Sequence, residues 1–261
     1  MEEVVSDTNV VICSGDISPS IIELQETLEL IKEKIYSDYY IFVPGNHDIW
    51  DLELQKYKNK QGISMQKYEI DLPNVTKRAG FYFLPGNPLI IEDEFAFIGS
   101  IGWYDYTLRN HKWDEFLKLE QIRYEEKYYM GRYLNELNYS NWGMTDKEVV
   151  EEFSKRLKED LEKVQKIENK MMILHYLPFQ QSIDYKETLE GDYFSAFMGA
   201  KIFGELIREF NFSVAIHGHT HTPLMYRLDD IRIFCCPIGY PMEWTKQLEE
   251  EINLRVKKFS F

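Results

Sequence analysis

Short apolar runs, each closed by glycine, proline or a small polar residue, set the pattern of this chain. Residues 10–14, Val-Val-Ile-Cys-Ser, form an unbroken run suited to a strand buried on both faces, as in parallel sheets. Over about residues 20–36 the apolar positions take helical spacing, and Pro19 helps to open that helix. Residues 39–43 predict the next strand, turned by Pro44 and Gly45, with a helix start behind it whose N-terminus favours anionic groups. Residues 89–91 and 95–101 alternate around Asp93-Glu94 and predict a hairpin. A strand at 170–174, a helix at 200–210 and a strand at 212–216 follow. A second hairpin pairs 224–228 with 231–235 across Asp229-Asp230. These elements predict an α/β fold of two sheets with flanking helices.

Between the halves, residues 111–169 are rich in Lys, Glu and Tyr, with helical periodicity near both ends that breaks over 138–143. They are read as a helical insertion within a single domain spanning 1–261, its charge a solvated helix face with i,i+4 pairing. A length of 261 residues and 44% hydrophobic content suffice for one sizeable core and exclude general disorder. Neither a signal segment nor an apolar run near the roughly 20 residues that span a bilayer is present, so a soluble, cytoplasmic protein is expected. Cys13, Cys235 and Cys236 make no disulfide framework and are read as reduced, buried thiols. A formal charge of −14 disfavours nucleic acid as a partner without excluding it, because bound cations can reverse the field locally.

Chemistry concentrates where apolar runs end. Five of the six histidines lie in Gly45-Asn46-His47-Asp48, Leu174-His175-Tyr176 and His217-Gly218-His219-Thr220-His221, while the first strand runs into Gly15-Asp16. Open α/β sheets build their sites at such carboxyl ends of strands. Asp, Asn and several His without thiolate suit Mn, Fe or Zn better than a structural zinc knot. Neither a Gly-x-Ser-x-Gly elbow nor a Gly-x-x-x-x-Gly-Lys phosphate loop offers a competing chemistry.

In that order, Gly-Asp, Gly-Asn-His-Asp, a lone His and Gly-His-Thr-His resemble the calcineurin-like metallophosphoesterases over about residues 9–240. The resemblance implies a four-layer sandwich of two sheets flanked by helices, and hydrolysis of phosphate mono- or diesters by a metal-bound hydroxide at a dinuclear site. It makes Asp16 the bridge between two divalent ions, Asn46, His175 and His219 ligands of the second ion, and His221 a ligand of the first. His47 becomes the catalytic histidine near the leaving group, with Asp48 orienting its imidazole. The ion is left open among Mn, Fe, Zn and Ni.

The chain departs from the family at its start. The family opens with a strand ending in Asp-x-His, which supplies two ligands of the first metal, and this chain has no such motif; Asp7-Thr8-Asn9 is a faint echo, read as a turn or helix end. Either a first strand lies upstream of Met1 or the protein lacks it, and the former is preferred, since its loss would leave hydrophobic strands unpaired. The first metal site is therefore expected to be the weaker. A non-catalytic metal-binding or scaffold protein is the alternative, against which the retained His47 argues. Trp103, Tyr104 and Arg109 are candidate substrate contacts, by stacking and by phosphate pairing, weighed against aromatic packing and an acidic partner. His111 is read as a helix-start residue and His217 as a hydrogen-bonded structural histidine.

Overall fold

The computed structural model describes residues 8–54 and 61–260. Strand β1 (Thr8–Cys13) leads into helix α1 (Ile21–Lys34), whose first turn is capped by the Ser20 hydroxyl accepting from the Glu23 N–H. Strand β2 (Ser37–Phe42) pairs parallel with β1 and, on its other side, with the short β3 (Tyr82–Phe83). Thr8 and Asn9 thus belong to a strand, not to the turn expected, because Thr8 already sits in register with Ser37; Asp7 lies outside the described residues.

The second sheet is mixed. Strands β4 (Leu89–Ile91), β5 (Phe95–Ser100), β8 (Asn169–Leu174), β9 (Val214–His217), β10 (Leu224–Leu228) and β11 (Ile231–Cys235) lie in the order β10-β11-β9-β8-β5-β4. Both predicted hairpins form the antiparallel edges, and β5, β8, β9 and β11 run parallel between them. The sheets face each other through Ile41, Val43 and Leu84 on one side and Phe97, Ile173 and Ile216 on the other. Alternation along β2 sends Ile41 to this inter-sheet core and Phe42 to the helix-covered layer, where Leu24 and Leu28 of α1 lie fully buried. Burying side chains of this size contributes roughly 1.5–3 kcal/mol each.

Strand β1 ends its sheet, with no partner on its far side among the described residues. A groove of about 1860 Å³ runs along all six of its residues, between the sheets, and opens at the clustered histidines. Cys13 and Cys236 line this groove and are only partly buried, so of the three free thiols only Cys235 is buried as expected.

The segment 111–169 is less helical than its periodicity suggests. Helix α5 (Asp114–Leu119) is followed by a small hairpin of β6 (Tyr128–Tyr129) and β7 (Arg132–Tyr133), the single turn α6 (Glu136–Tyr139) and the long α7 (Asp146–Lys163). Thr145 and Glu148 close a capping box on α7, which buries Val149, Val150, Phe153 and Leu157 on one face. Three helical segments escaped the sequence pattern: α3 (Ile63–Gln66), a π turn (Lys67–Asp71) and α4 (Leu72–Arg78) form one irregular rod. Helices α8 (Leu189–Tyr193), α9 (Lys201–Glu209) and α10 (Leu248–Arg255) complete the flanks. Among the described residues no helix is long and apolar enough to cross a membrane.

Candidate metal centre

Four chain segments meet at the carboxyl ends of β1, β2, β8 and β9. Gly15 (φ 89°) and Asp16 (φ 60°) turn the chain left-handed after β1, a conformation that glycine adopts freely and aspartate tolerates. A Cβ on Gly15 would lie 2.2 Å from the Gly45 nitrogen, and one on Gly45 would lie 2.2 Å from Asp16 Oδ1, so both glycines are needed for the two loops to touch. The helix after Gly45, α2 (Asn46–Ile49), is one turn, too short for the helix-dipole anion site expected there.

The metal-ligand candidates converge. His175 Nε2 lies 3.3 Å from Asp16 Oδ2 and 3.0 Å from Asn46 Oδ1, and His219 Nδ1 lies 3.0 Å from the same Asn46 oxygen. Ligating atoms of Asp16, His175 and His219 all fall within 4.8 Å of one another. His175 Nδ1 points at the Ser14 carbonyl, 2.8 Å away, which fixes its proton there and turns the Nε2 lone pair to the cluster. Asp16 Oδ1 accepts the His47 backbone N–H at 2.9 Å, anchoring one carboxylate oxygen while the other faces His175.

The electrostatics suit a cation. Burial drives the Asp16 carboxyl upward, but His175, His47 and His219 overcome it and hold it well below the usual carboxylate range. His219 is pushed down to about 3 by burial and by His175, which keeps it a neutral, lone-pair-bearing imidazole. Burial opposes protonation of His175 too, but Asp16 outweighs it and raises that group. A divalent cation at the point of convergence would take over that proton's role, and carboxylate, amide oxygen and imidazole form a hard-to-borderline donor set that fits one.

His221 stands apart from this cluster. It is exposed, with Nδ1 2.7 Å from Glu243 Oε1 and its ring against Tyr240. His47 stacks on Trp50 at 3.8 Å between ring centres, and burial holds its imidazole below the ordinary range. Asp48 departs from its expected part. Its carboxylate does not orient His47; both oxygens are taken by the backbone N–H groups of Gly45, Asp16, Ile17 and Ser18, at 2.8–3.0 Å. It is fully buried and clamps the Gly-Asp loop to the Gly-Asn-His-Asp loop, with burial, reinforced by Asp16, raising its pKa to about 6 against the pull of those N–H donors.

The three candidate substrate contacts are placed elsewhere. Trp103 and Tyr104 are 0% exposed, stacked on each other, with the Trp103 indole N–H donating to Asp146, so neither presents a face to a substrate. Arg109 makes a two-pronged pair with Asp114 and donates to the Tyr106 carbonyl. His111 begins a 3₁₀ turn beside Asp114, and buried His217 lies 2.9 Å from the Ser182 hydroxyl, as their sequence contexts suggest. One residue of the site had no local signal: Glu136, from the insertion, accepts from Asn46 Nδ2 at 2.7 Å.

A model of the calcineurin-like phosphoesterases matches residues 2–223. The chain belongs to this family. Calcineurin-like phosphoesterases usually bind divalent metals and act on phosphate esters, in keeping with the Asp16, His175 and His219 group. No curated protein matches the sequence. Among solved structures, the phosphopantetheinyl hydrolase PptH from Mycobacterium tuberculosis superposes with a TM-score of 0.71 at 18% identity, over 95% of this chain and 86% of that one. TT1561 of Thermus thermophilus aligns at 0.49 and 11% identity, over 87% and 75%. At 18% identity the likeness to PptH is one of fold.

Proposed function

We propose that this calcineurin-like phosphoesterase hydrolyses phosphate esters at a metal centre held by Asp16, Asn46, His175 and His219. The convergence of Asn46 Oδ1 with both imidazoles at 3.0 Å carries the reading, because an amide oxygen and two imidazole nitrogens brought together in a buried site form a donor set suited to a divalent cation. Asp16, with one oxygen facing the cluster and its side chain 22% exposed, is the bridging candidate toward a second ion shared with His221. That second position is the weaker, since His221 lies outside the cluster.

Divalent ions held there would supply Lewis acidity and an acidified water. The chain's own groups position and exclude. Asp48 sets the spacing of the two ligand loops, Ser14 holds the His175 tautomer, and Trp50 holds the His47 ring. Burial keeps His47 neutral before substrate binds; an arriving phosphate anion favours its protonated form, which then serves the leaving oxygen.

The test joins metal content per chain with hydrolysis of a panel: a chromogenic phosphodiester, a monoester, a phosphopeptide and a phosphopantetheinyl protein, the last prompted by the fold likeness to PptH. Turnover that needs added manganese, with at least one bound ion, is the expected result. His47→Ala should lower turnover by roughly 10²- to 10⁴-fold while metal content stays unchanged. Metal bound without turnover on any substrate would favour a scaffold, and turnover untouched by His47→Ala would overturn the role given to that residue.

A further inference from the structure

We propose that Glu136 is a positioning residue that fixes which end of the Asn46 amide faces the metal centre. The proposal rests on Asn46 being a metal ligand.

An asparagine amide can present either its oxygen or its NH₂ to a site, and the two have nearly the same shape. For a cation the difference is one of sign: Oδ1 binds it and Nδ2 repels it. Asn46 is 3% exposed, so no bulk water biases the choice. On one side of the amide, His175 Nε2 and His219 Nδ1 each lie 3.0 Å from Oδ1. With its Nδ1 proton held by Ser14, neutral His175 presents a lone pair at Nε2 and would accept from a flipped NH₂, so the histidines alone would not reject a flipped amide.

Glu136 supplies the asymmetry. Its Oε1 accepts from Nδ2 at 2.7 Å, and a flip would set the Asn46 oxygen against that carboxyl oxygen in a buried site. The residue is itself 5% exposed and contributes no atom to the group formed by Asp16, His175 and His219, so it acts through the amide and not on the ion. It reaches the site from 90 residues along the chain, carried by α6, whose turn is tied to the ligand-bearing loop by the Asp51 N–H donating to the Tyr139 carbonyl at 2.9 Å. The insertion therefore completes the ligand set from behind.

The experiment is manganese titration by calorimetry on the full chain and on Glu136→Ala, Glu136→Gln, Asn46→Ala and the Asn46→Ala/Glu136→Ala double variant. Loss of an outer partner of a metal ligand typically weakens binding by about 10- to 100-fold, and Glu136→Ala should fall in that range. Glu136→Gln can turn an NH₂ as well as an oxygen to Asn46, so it no longer rejects a flipped amide and should also bind manganese more weakly than the wild type; wild-type affinity in this variant would overturn the orienting role. In the Asn46→Ala background, removing Glu136 should change affinity less than about twofold, because the group it orients is gone. A Glu136→Ala chain that binds manganese like the wild type overturns the proposal, and so does an equal loss in both backgrounds, which would mark a merely structural residue. A wild-type chain that binds no manganese overturns the metal centre itself, and the role of Glu136 with it.

Discussion

Replacing Asp48 with Ala should destabilise the protein by about 3–5 kcal/mol, and the loss should come from the backbone, not from His47. Four N–H groups, from Gly45, Asp16, Ile17 and Ser18, lose their acceptor in a place where Asp48 is fully buried. Each such group costs about 1–3 kcal/mol when left without a partner, a gross loss of about 4–12 kcal/mol. Against this stands the relief of not burying a carboxylate whose pKa is raised from 3.8 to about 6, about 3 kcal/mol at neutral pH. Backbone relaxation and water entering the emptied space reach some of the amides, which places the net near the lower half of the range. Urea unfolding of metal-free protein at pH 7, with an unchanged m-value, measures it. A variant within about 1 kcal/mol of the wild type, whose only defect is a displaced pH profile of turnover, would refute the clamp and restore the imidazole-orienting role.

Two further outcomes follow from the same geometry. Gly45→Ala forces a Cβ to 2.2 Å from Asp16 Oδ1 and 2.6 Å from His175 Cε1, so manganese affinity should fall at least tenfold; calorimetry showing wild-type binding would refute the close approach of the two loops. Lys67 donates to the carbonyls of Pro19 and Trp50, and burial pulls its ammonium down from 10.5 to about 8. Between those values the unfolded chain holds the proton that the folded chain has released, so this group's contribution to stability rises with pH. Relative to Lys67→Met, wild-type stability should gain about 2 kcal/mol between pH 7.5 and 9.5, and parallel urea curves would refute it.

The parts of the fold written in local pattern were legible before the structure. The hairpin of Leu224–Leu228 and Ile231–Cys235 came out with the bounds that alternation and the Asp229-Asp230 turn imply, and β5 and β8 end within a residue of their expected positions. The segments that meet at the candidate centre stood out for the same reason: each interrupts an apolar run with residues that no strand would choose. What was not legible depends on the third dimension. Irregular helix from Ile63 to Arg78 carries a π turn and Pro73, which blur the 3.6-residue period. Asp48 sits beside His47 in sequence, and adjacency suggested a partnership that the chain's path denies. Trp103 and Tyr104 follow a strand end, where side chains are as well placed to enter the core as the cleft. Glu136 lies in a charge-rich stretch where one buried carboxylate cannot be told from its solvated neighbours by spacing.

The contacts that assemble the cluster join residues far apart in the chain: Ser14 to His175, Asn46 to His175 and Asn46 to His219 span 161, 129 and 173 positions. No local fragment can hold these donors together, so the centre exists only after both sheets have docked. Ion binding is thereby coupled to the folding equilibrium of the whole chain. At a free ion concentration one hundred times its dissociation constant, the folded form gains about 2.7 kcal/mol over a chain that cannot assemble the centre. An ion held there would be a thermodynamic lock on the molecule as a whole, and a chelator would act on the loaded protein as a mild denaturant.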